Sequence, residues 1–168
     1  YVFPLELIRG SWAQQSLLIL SIATIFVGSM LAYRELVLKR CLAFSTISQV
    51  SYILFGIFLF HPVGLAGALL QLFSHGVAKV LLFLSAGTLE GKLHIKRRDR
   101  LRGVGRQMPS VMGFVGVAAL SMVGIPPFGG FLGKWYLCLG SLDAAPGFLA
   151  GLGVFVLLLS ALLTAGYL

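Results

Sequence analysis

Residues 109–142 read PSVMGFVGVAALSMVGIPPFGGFLGKWYLCLGSL, and this stretch decides how the chain folds. Apart from Lys134 it carries no formal charge, so it is apolar enough to lie in a lipid bilayer. Two consecutive prolines, Pro126 and Pro127, stand near its middle, and Gly129 and Gly130 follow them closely. Because proline lacks a backbone N–H and clashes with the preceding turn, the segment cannot be one regular helix.

Two interpretations of this segment are open, a pair of crossings or one crossing with a break. Its 34 residues are short for two spans and a loop, since one crossing takes about 20 residues. They are also long for one straight helix. We favour a single discontinuous helix, broken at Pro126, Pro127, Gly129 and Gly130. Unwound backbone at membrane depth is tolerated only inside protein or beside a wet cavity, and transporters use it often.

The rest of the chain has the same apolar character. Of 168 residues, 58% are hydrophobic and 11% are charged, with a mean hydropathy of +0.98, whereas soluble domains are about 25% charged. Uncharged runs cover residues 10–33, 41–78 and 144–168. This composition excludes an ordinary soluble domain, a disordered tail and a disulfide-rich secreted module.

We therefore predict an all-α fold, a polytopic transmembrane helix bundle of about five spans. Residues 1–14 are expected to end a preceding helix and its loop, so the chain is interpreted as a fragment of something longer. The transmembrane bundle is expected over residues 15–168, with spans at 15–33, 41–60, 62–88, 109–142 (broken) and 147–168.

The net charge of +8 resembles that of a nucleic-acid-binding protein, but its distribution argues against one. Ten of the 13 lysines and arginines fall in two loops, between the first and second spans and between the third and fourth. If the second and third spans both cross, these loops lie on the same side. Basic loops mark the cytoplasmic side of membrane proteins. We expect the lipid bilayer as a partner and no nucleic acid.

Lys79 lies in the middle of the third span, where an ionisable side chain is costly and calls for a reason. His75 and Gln71 precede it at intervals of four residues, so the three stack on one helix face, with Ser74 beside them. Since histidine titrates near neutral pH, this stripe is typical of a proton relay. The alternative is a lysine snorkelling to the interface, but Thr88 at the span end is roughly 14 Å away.

Lys134 is the second intramembrane charge, and it closely follows the helix break. As a charge beside a discontinuity in the bilayer it predicts a functional role. Trp135 and Tyr136 allow the alternative of an interfacial anchor, which a separate hairpin would favour.

A weaker polar face lies on the second span. Its residues Ser45, Ser48 and Gln49, with Tyr52 beyond them, can bond either to water or to a neighbouring helix. Cys41 and Cys138 are interpreted as small core hydrophobes. The sequence contains no metal-ligand motif, nucleophile triad or dinucleotide fingerprint, so we expect no metal and no cofactor.

Three motifs give the chain a family resemblance. They are KRCLAFSTISQ at residues 39–49, HGVAKVLLFL at 75–84 and GIPPFGGFLGKWYL at 124–137. Together they resemble antiporter-like, proton-translocating membrane subunits of three assemblies: complex I (NADH-quinone oxidoreductase), membrane-bound hydrogenases and Mrp-type cation/proton antiporters.

The resemblance implies a subunit built from two inverted five-helix repeats, of which this chain looks like the second. The family's central lysine falls on Lys79, its broken-helix gate on Lys134 and its relay histidine on His75. Because M-type subunits usually carry Glu at the gate, Lys134 favours the L, N or Mrp-like types. The elements of a first repeat are absent from this sequence, so it holds at most half of a proton route.

The resulting expectation is a non-catalytic, ion-pumping part of a redox-coupled membrane complex, with other membrane subunits as partners and protons or Na⁺ as the cargo. The alternatives are an Mrp-type antiporter subunit, a free-standing cation carrier or channel, and a purely structural membrane subunit. We expect a multi-pass location in a bacterial or archaeal cytoplasmic membrane, with an organellar inner membrane as the alternative.

Overall fold

The structure, a computed structural model, describes residues 10–144 and 147–168. In this part of the chain it is all-α, as predicted, and the elements are α1 (Trp12–Arg34), α2 (Leu38–Phe58), α3 (Pro62–Leu93), a 3₁₀ turn (Arg98–Leu101), α4 (Val104–Gln107), α5 (Pro109–Val123), α6 (Gly129–Ala144) and α7 (Gly147–Tyr167). Helices α1, α2, α3 and α7 are each long and apolar enough to cross a membrane, and α5 is a shorter apolar helix.

The observed helix ends differ in places from those expected. Helix α1 starts at Trp12 rather than at residue 15, because the Ser11 side chain caps it by accepting from the Gln14 backbone N–H. Helix α3 continues past Thr88 to Leu93, since backbone hydrogen bonding does not stop where apolar side chains do. The helix end expected over residues 1–14 falls mainly on residues 1–9, which lie outside the described residues.

Helices α5 and α6 form one broken crossing along α3. One buried cluster joins α3 to α5 and includes Ala78, Leu82, Ala86, Ala118 and Met122. Beyond the break, Gly133 of α6 packs on Gln71, and Gly140 packs on Gly64. As residue numbers rise through α5 and α6, those of their α3 neighbours fall. Both pieces therefore run antiparallel to α3 without reversing, and a hairpin is excluded.

The two basic loops lie at the same end of the bundle, as predicted. The Leu38 N–H donates to the Lys96 carbonyl at 2.9 Å, and the Arg98 N–H donates to the Leu36 carbonyl at 3.0 Å. Glu90 adds an ion pair with Lys39 at 2.5 Å. Backbone pairing and opposite charge thus hold the loops together, and the assignment of this end to the cytoplasm stays a prediction.

Helices α1, α2 and α7 form a compact layer with an apolar core. Its largest buried side chains include Leu18, Ile25, Tyr52, Phe55 and Leu157. Many other large apolar side chains point outward, as expected for a surface that faces lipid or other membrane helices.

Candidate functional site

The helix break leaves two backbone carbonyls without helical partners. In an unbroken helix, the carbonyls of Met122 and Val123 would accept from the N–H groups four residues later. Those residues are Pro126 and Pro127, which have no N–H. Helix α5 ends instead at Val123 and is capped by Gly124, whose φ of 89° is left-handed and suits glycine. The peptide bond between the two prolines is cis.

Lys134 supplies the missing donors. Its Nζ donates to the Met122 carbonyl at 2.5 Å and to the Val123 carbonyl at 2.9 Å. We call these two carbonyl oxygens the carbonyl cradle. The Lys134 side chain is 8% exposed, so the ammonium group is held by backbone dipoles inside the protein.

An aromatic ring completes the surroundings of Lys134. The Nζ atom lies 5.6 Å from the centroid of the Tyr52 ring, a distance suited to a cation–π interaction. Tyr52 is itself fixed, because its hydroxyl donates to the Leu157 carbonyl at 3.1 Å. One residue each from α2, α6 and α7 therefore meets at the break.

Close packing of glycines places Lys134 against α3. A side chain at Gly133 would overlap the backbone of Gln71. A side chain at Gly130 would overlap the Ser121 carbonyl oxygen, so α6 can start directly over the end of α5. Gly129, the first residue of α6, packs beside Ser74. Gly130 and Gly133 are therefore needed for close approach of the backbone, whereas a Cβ at Gly129 would make an ordinary contact with Ser74.

Lys79 lies on α3 in a second buried position. It is 7% exposed, and its Nζ donates to the Leu42 carbonyl of α2 at 2.6 Å. The Phe83 ring centroid lies 5.9 Å from the same atom. Among the described residues, neither Lys79 nor Lys134 has a carboxylate within ion-pair distance. Both positive charges are thus stabilised by neutral groups alone.

Polar atoms with spare hydrogen-bonding capacity lie on the buried face of α3 and on Gln49 of α2, which bonds to that face. Gln71 donates to the Gln49 side-chain oxygen at 2.6 Å. The remaining atoms Gln71 Oε1, Gln49 Nε2 and His75 Nδ1 are buried without a partner. Buried polar atoms are normally satisfied, so this row suits water or a moving proton. Gln71, His75 and Lys79 share one buried face, as their spacing implies.

Ser74, Ser45 and Ser48 do not bond to the unsatisfied side-chain atoms of this row. The Ser74 hydroxyl donates to the Leu70 carbonyl of its own helix at 2.8 Å. Ser45 accepts from the Tyr167 hydroxyl at 2.9 Å, and Ser48 shares hydrogen bonds with Ser29 and Ser160. The second-span serines therefore link α2 to α1 and α7, and only Gln49 of that face turns toward α3.

Metal-binding groups are not found in the described residues, where no three His, Cys, Asp or Glu side chains cluster closely enough. The carboxylates with a basic partner lie at the loop end of the bundle. There the guanidinium of Arg97 hydrogen-bonds to Asp99 and lowers the pKa of that carboxyl. The lysines of the interior have no comparable counter-charge.

Residues 1–160 match the family model described as NADH:quinone oxidoreductase/Mrp antiporter, TM. The chain belongs to this family. It is accordingly a multi-pass integral membrane chain of the antiporter-like type.

Individual family members support this assignment. The chain is 42% identical over 145 residues to NADH-quinone oxidoreductase subunit N of Desulforudis audaxviator, covering 86% of this chain and 28% of the relative. It is 36% identical over 137 residues to subunit M of Rickettsia prowazekii, covering 80% of this chain and 28% of the relative. The chain thus spans little more than a quarter of the length of these relatives. Because both M and N subunits match well, the family does not separate these types here.

Two solved structures of membrane complexes share the fold. A chain of the Mrp complex from Dietzia sp. DQ12-45-1b superimposes with a TM-score of 0.83 at 33% identity, over 93% of this chain and 29% of that one. A chain of the membrane-bound sulfane sulfur reductase, an archaeal respiratory membrane complex, superimposes with a TM-score of 0.82 at 29% identity. The match covers 92% of this chain and 25% of that one. Family members therefore occur in multisubunit membrane complexes.

Sequence reasoning missed the carbonyl cradle, although a signal for it was present. Each of two consecutive carbonyls loses its helical donor when prolines follow four residues later, so a buried donor from elsewhere is required. The sequence pattern places Tyr52 only on a polar helix face and does not indicate that its ring lies beside Lys134. Neither Ser29 nor Ser160 was singled out, because isolated serines in apolar spans carry no pattern.

Proposed function

We propose that the chain is part of a membrane subunit that translocates protons or Na⁺ and is coupled to a redox complex of the NADH-quinone oxidoreductase type. The observation that carries this proposal is the pair of buried lysines, Lys79 and Lys134, whose partners among residues 10–144 and 147–168 are all neutral. Such charges are costly in the bilayer and mark ion pathways. Family membership supports the same conclusion.

The proposed relay uses Lys79, His75 and Lys134 as proton carriers. A lysine amine and an imidazole can each accept a proton and pass it on, whereas glutamine cannot titrate. The side chains of Gln71 and Gln49, which are hydrogen-bonded to each other, instead orient the hydrogen-bonding groups that lie between these proton carriers. His75 Nδ1 is available to accept a proton because no protein group occupies it.

Lys134 acts as the gate in this scheme. Protonated, its ammonium group binds the carbonyl cradle and the Tyr52 ring. Loss of the proton removes the charge that both partners stabilise, so the neutral amine is held less tightly. Protonation therefore decides whether the broken helix is pinned at its gap.

Coupling to electron transfer would act through charge. Because no carboxylate in the described part of the chain pairs with either lysine, each responds strongly to a charge that appears nearby in the low-dielectric interior. A redox event in a partner subunit can then shift protons along the row. The partners, the electron donor and the remaining three-quarters of the relatives' length lie outside this chain, so this step is a proposal for the whole complex.

The test compares Lys79→Met and Lys134→Met in the intact complex. The relay predicts that each variant assembles but that ion translocation falls at least about tenfold. A purely structural subunit predicts unchanged translocation and equal or higher stability, because an apolar side chain replaces a buried charge. Ser74→Ala serves as the control, since its hydroxyl bonds only within its own helix turn, and it should translocate normally.

A further inference from the structure

The carbonyl cradle has the properties of a cation-binding site in its own right. Its two oxygens, from Met122 and Val123, lack helical donors because of Pro126 and Pro127. We propose that the cradle is an exchangeable site for monovalent cations, which takes either the Lys134 ammonium group or a partly dehydrated alkali cation such as Na⁺. This inference rests on the proposed function and specifies where a transported cation would bind.

The surroundings of the cradle favour one positive charge and no more. The oxygens lie at the carboxyl end of α5, where the helix dipole is negative. The Tyr52 ring adds its electron-rich face. No carboxylate of the described residues is paired with Lys134. A second cation would therefore meet the ammonium charge without compensation, so the two occupants compete.

Space for the exchange adjoins Lys134. A cavity of about 120 Å³ is lined by Gly124, Phe131, Lys134, Trp135, Cys138 and Leu157. Since a water molecule takes about 30 Å³ in the liquid, this volume accommodates a displaced amine or waters that complete the shell of a small cation. Broken helices in transporters coordinate cations in the same way, with carbonyls at the ends of half-helices.

The exchange balances as a one-for-one reaction. When an alkali cation enters the cradle, Lys134 passes from ammonium to neutral amine and releases one proton. Among the described residues, the Tyr52 ring of α2 packs by Lys134, Cys138 of α6 lines the adjoining cavity with it, and His75 of α3 interacts with its charge. Of these, His75 lies on the polar row that leads to Lys79, so we assign it as the proton acceptor within the proposed relay.

Lys79 provides an internal comparison, because it lacks a cradle. Its Nζ binds one carbonyl, that of Leu42, which lies within the unbroken helix α2. The Thr46 hydroxyl already donates to this carbonyl at 2.9 Å. Removing Lys79 therefore leaves no pair of free oxygens, and no cation site is expected there.

The first experiment measures cation binding to the Lys134→Ala variant of the intact complex. Without the ammonium group, the cradle should bind added Na⁺, and the unfolding temperature should rise saturably with NaCl but not with choline chloride. The matched Lys79→Ala variant should show no difference between the two salts. Equal responses to NaCl and choline chloride in Lys134→Ala would overturn the proposal.

The second experiment uses protein that retains a cation at this position, which guards against misassembly of the alanine variant. Adding NaCl to weakly buffered wild-type complex should release protons beyond those released by choline chloride. Lys134→Arg should abolish the share of this Na⁺-dependent proton release that comes from this subunit, because a guanidinium does not give up its proton. Identical release from wild type and Lys134→Arg would count against the exchange.

The outcomes separate this inference from the proposed function. If Lys134→Met loses translocation while Lys134→Ala shows no Na⁺ response, the relay stands and the cation site is wrong. If Lys134→Ala binds Na⁺ while Lys134→Met translocates normally, the cradle binds cations but Lys134 is not the gate.

Discussion

The ammonium group of Lys134 donates to the Met122 carbonyl at 2.5 Å, across the gap in the broken helix. This contact exists because Pro126, the residue that would have donated in an unbroken helix, has no N–H. A single feature of the backbone thus explains both the position of the charge and the stability of the break.

Gly124→Ala should destabilise the complex by about 1–2 kcal/mol, because an L residue at a φ of 89° is strained. Its Cβ would also lie 3.0 Å from the Lys134 side chain. Gly116→Ala is the control, since it is helical and has open space around its Cβ. Thermal unfolding of the two variants checks this prediction, and equal losses would argue against strain at the break.

Tyr52→Leu should reduce translocation more than Tyr52→Phe, because only the phenylalanine keeps a ring under the Lys134 ammonium. A desolvated cation–π interaction contributes about 2 kcal/mol, which corresponds to roughly thirtyfold in rate. Both variants lose the hydroxyl bond to Leu157, so that loss cancels in the comparison. Equal activity of the two variants would show that the ring does not act on Lys134.

Ser48→Ala and Ser29→Ala should each weaken the packing of α1, α2 and α7, at a cost of about 0.6–1.7 kcal/mol per hydrogen bond. The two hydroxyls are 2.7 Å apart, so the double variant should cost less than the sum of the single ones. Translocation per assembled complex should be unchanged. A loss of translocation at normal stability would place these serines in the ion path instead.

Glu90→Gln should remove the ion pairs to Lys96 and to Lys39, of which the pair with Lys39 links the two basic loops. The side chains of these pairs are partly exposed, so we expect a small loss of stability that shrinks as salt is added. Asp99→Asn is the control, because Asp99 pairs with Arg97 inside one loop. Thermal unfolding at low and high salt distinguishes them, and equal salt dependence would mean that Glu90 has no linking role.

Much of the fold was predictable from the sequence, for a physical reason. The bilayer requires long uncharged helices, so the gaps between charges mark the spans, and the stacking of Gln71, His75 and Lys79 follows from helical spacing. Helix ends were less predictable, as Trp12 and Leu93 show, because capping and backbone bonds extend helices beyond the apolar runs.

The partners of the charged groups could not be predicted from the pattern alone. The carbonyl that holds Lys79 belongs to Leu42, and the ring beside Lys134 belongs to Tyr52 on another helix. Such pairs depend on how helices rotate and cross, which glycines such as Gly133 decide through close backbone contact. The exception is the helix break, where Pro126 and Pro127 indicate from the sequence that the carbonyls of Met122 and Val123 lose their helical donors.

The most direct test of the account is the number of ions translocated per electron transferred by the intact complex carrying Lys134→Ala. The relay predicts a ratio well below that of wild type while Ser74→Ala keeps the wild-type ratio, because Lys134 gates the path and Ser74 does not join it. An assembled Lys134→Ala complex that translocates at the wild-type ratio would contradict the central claim.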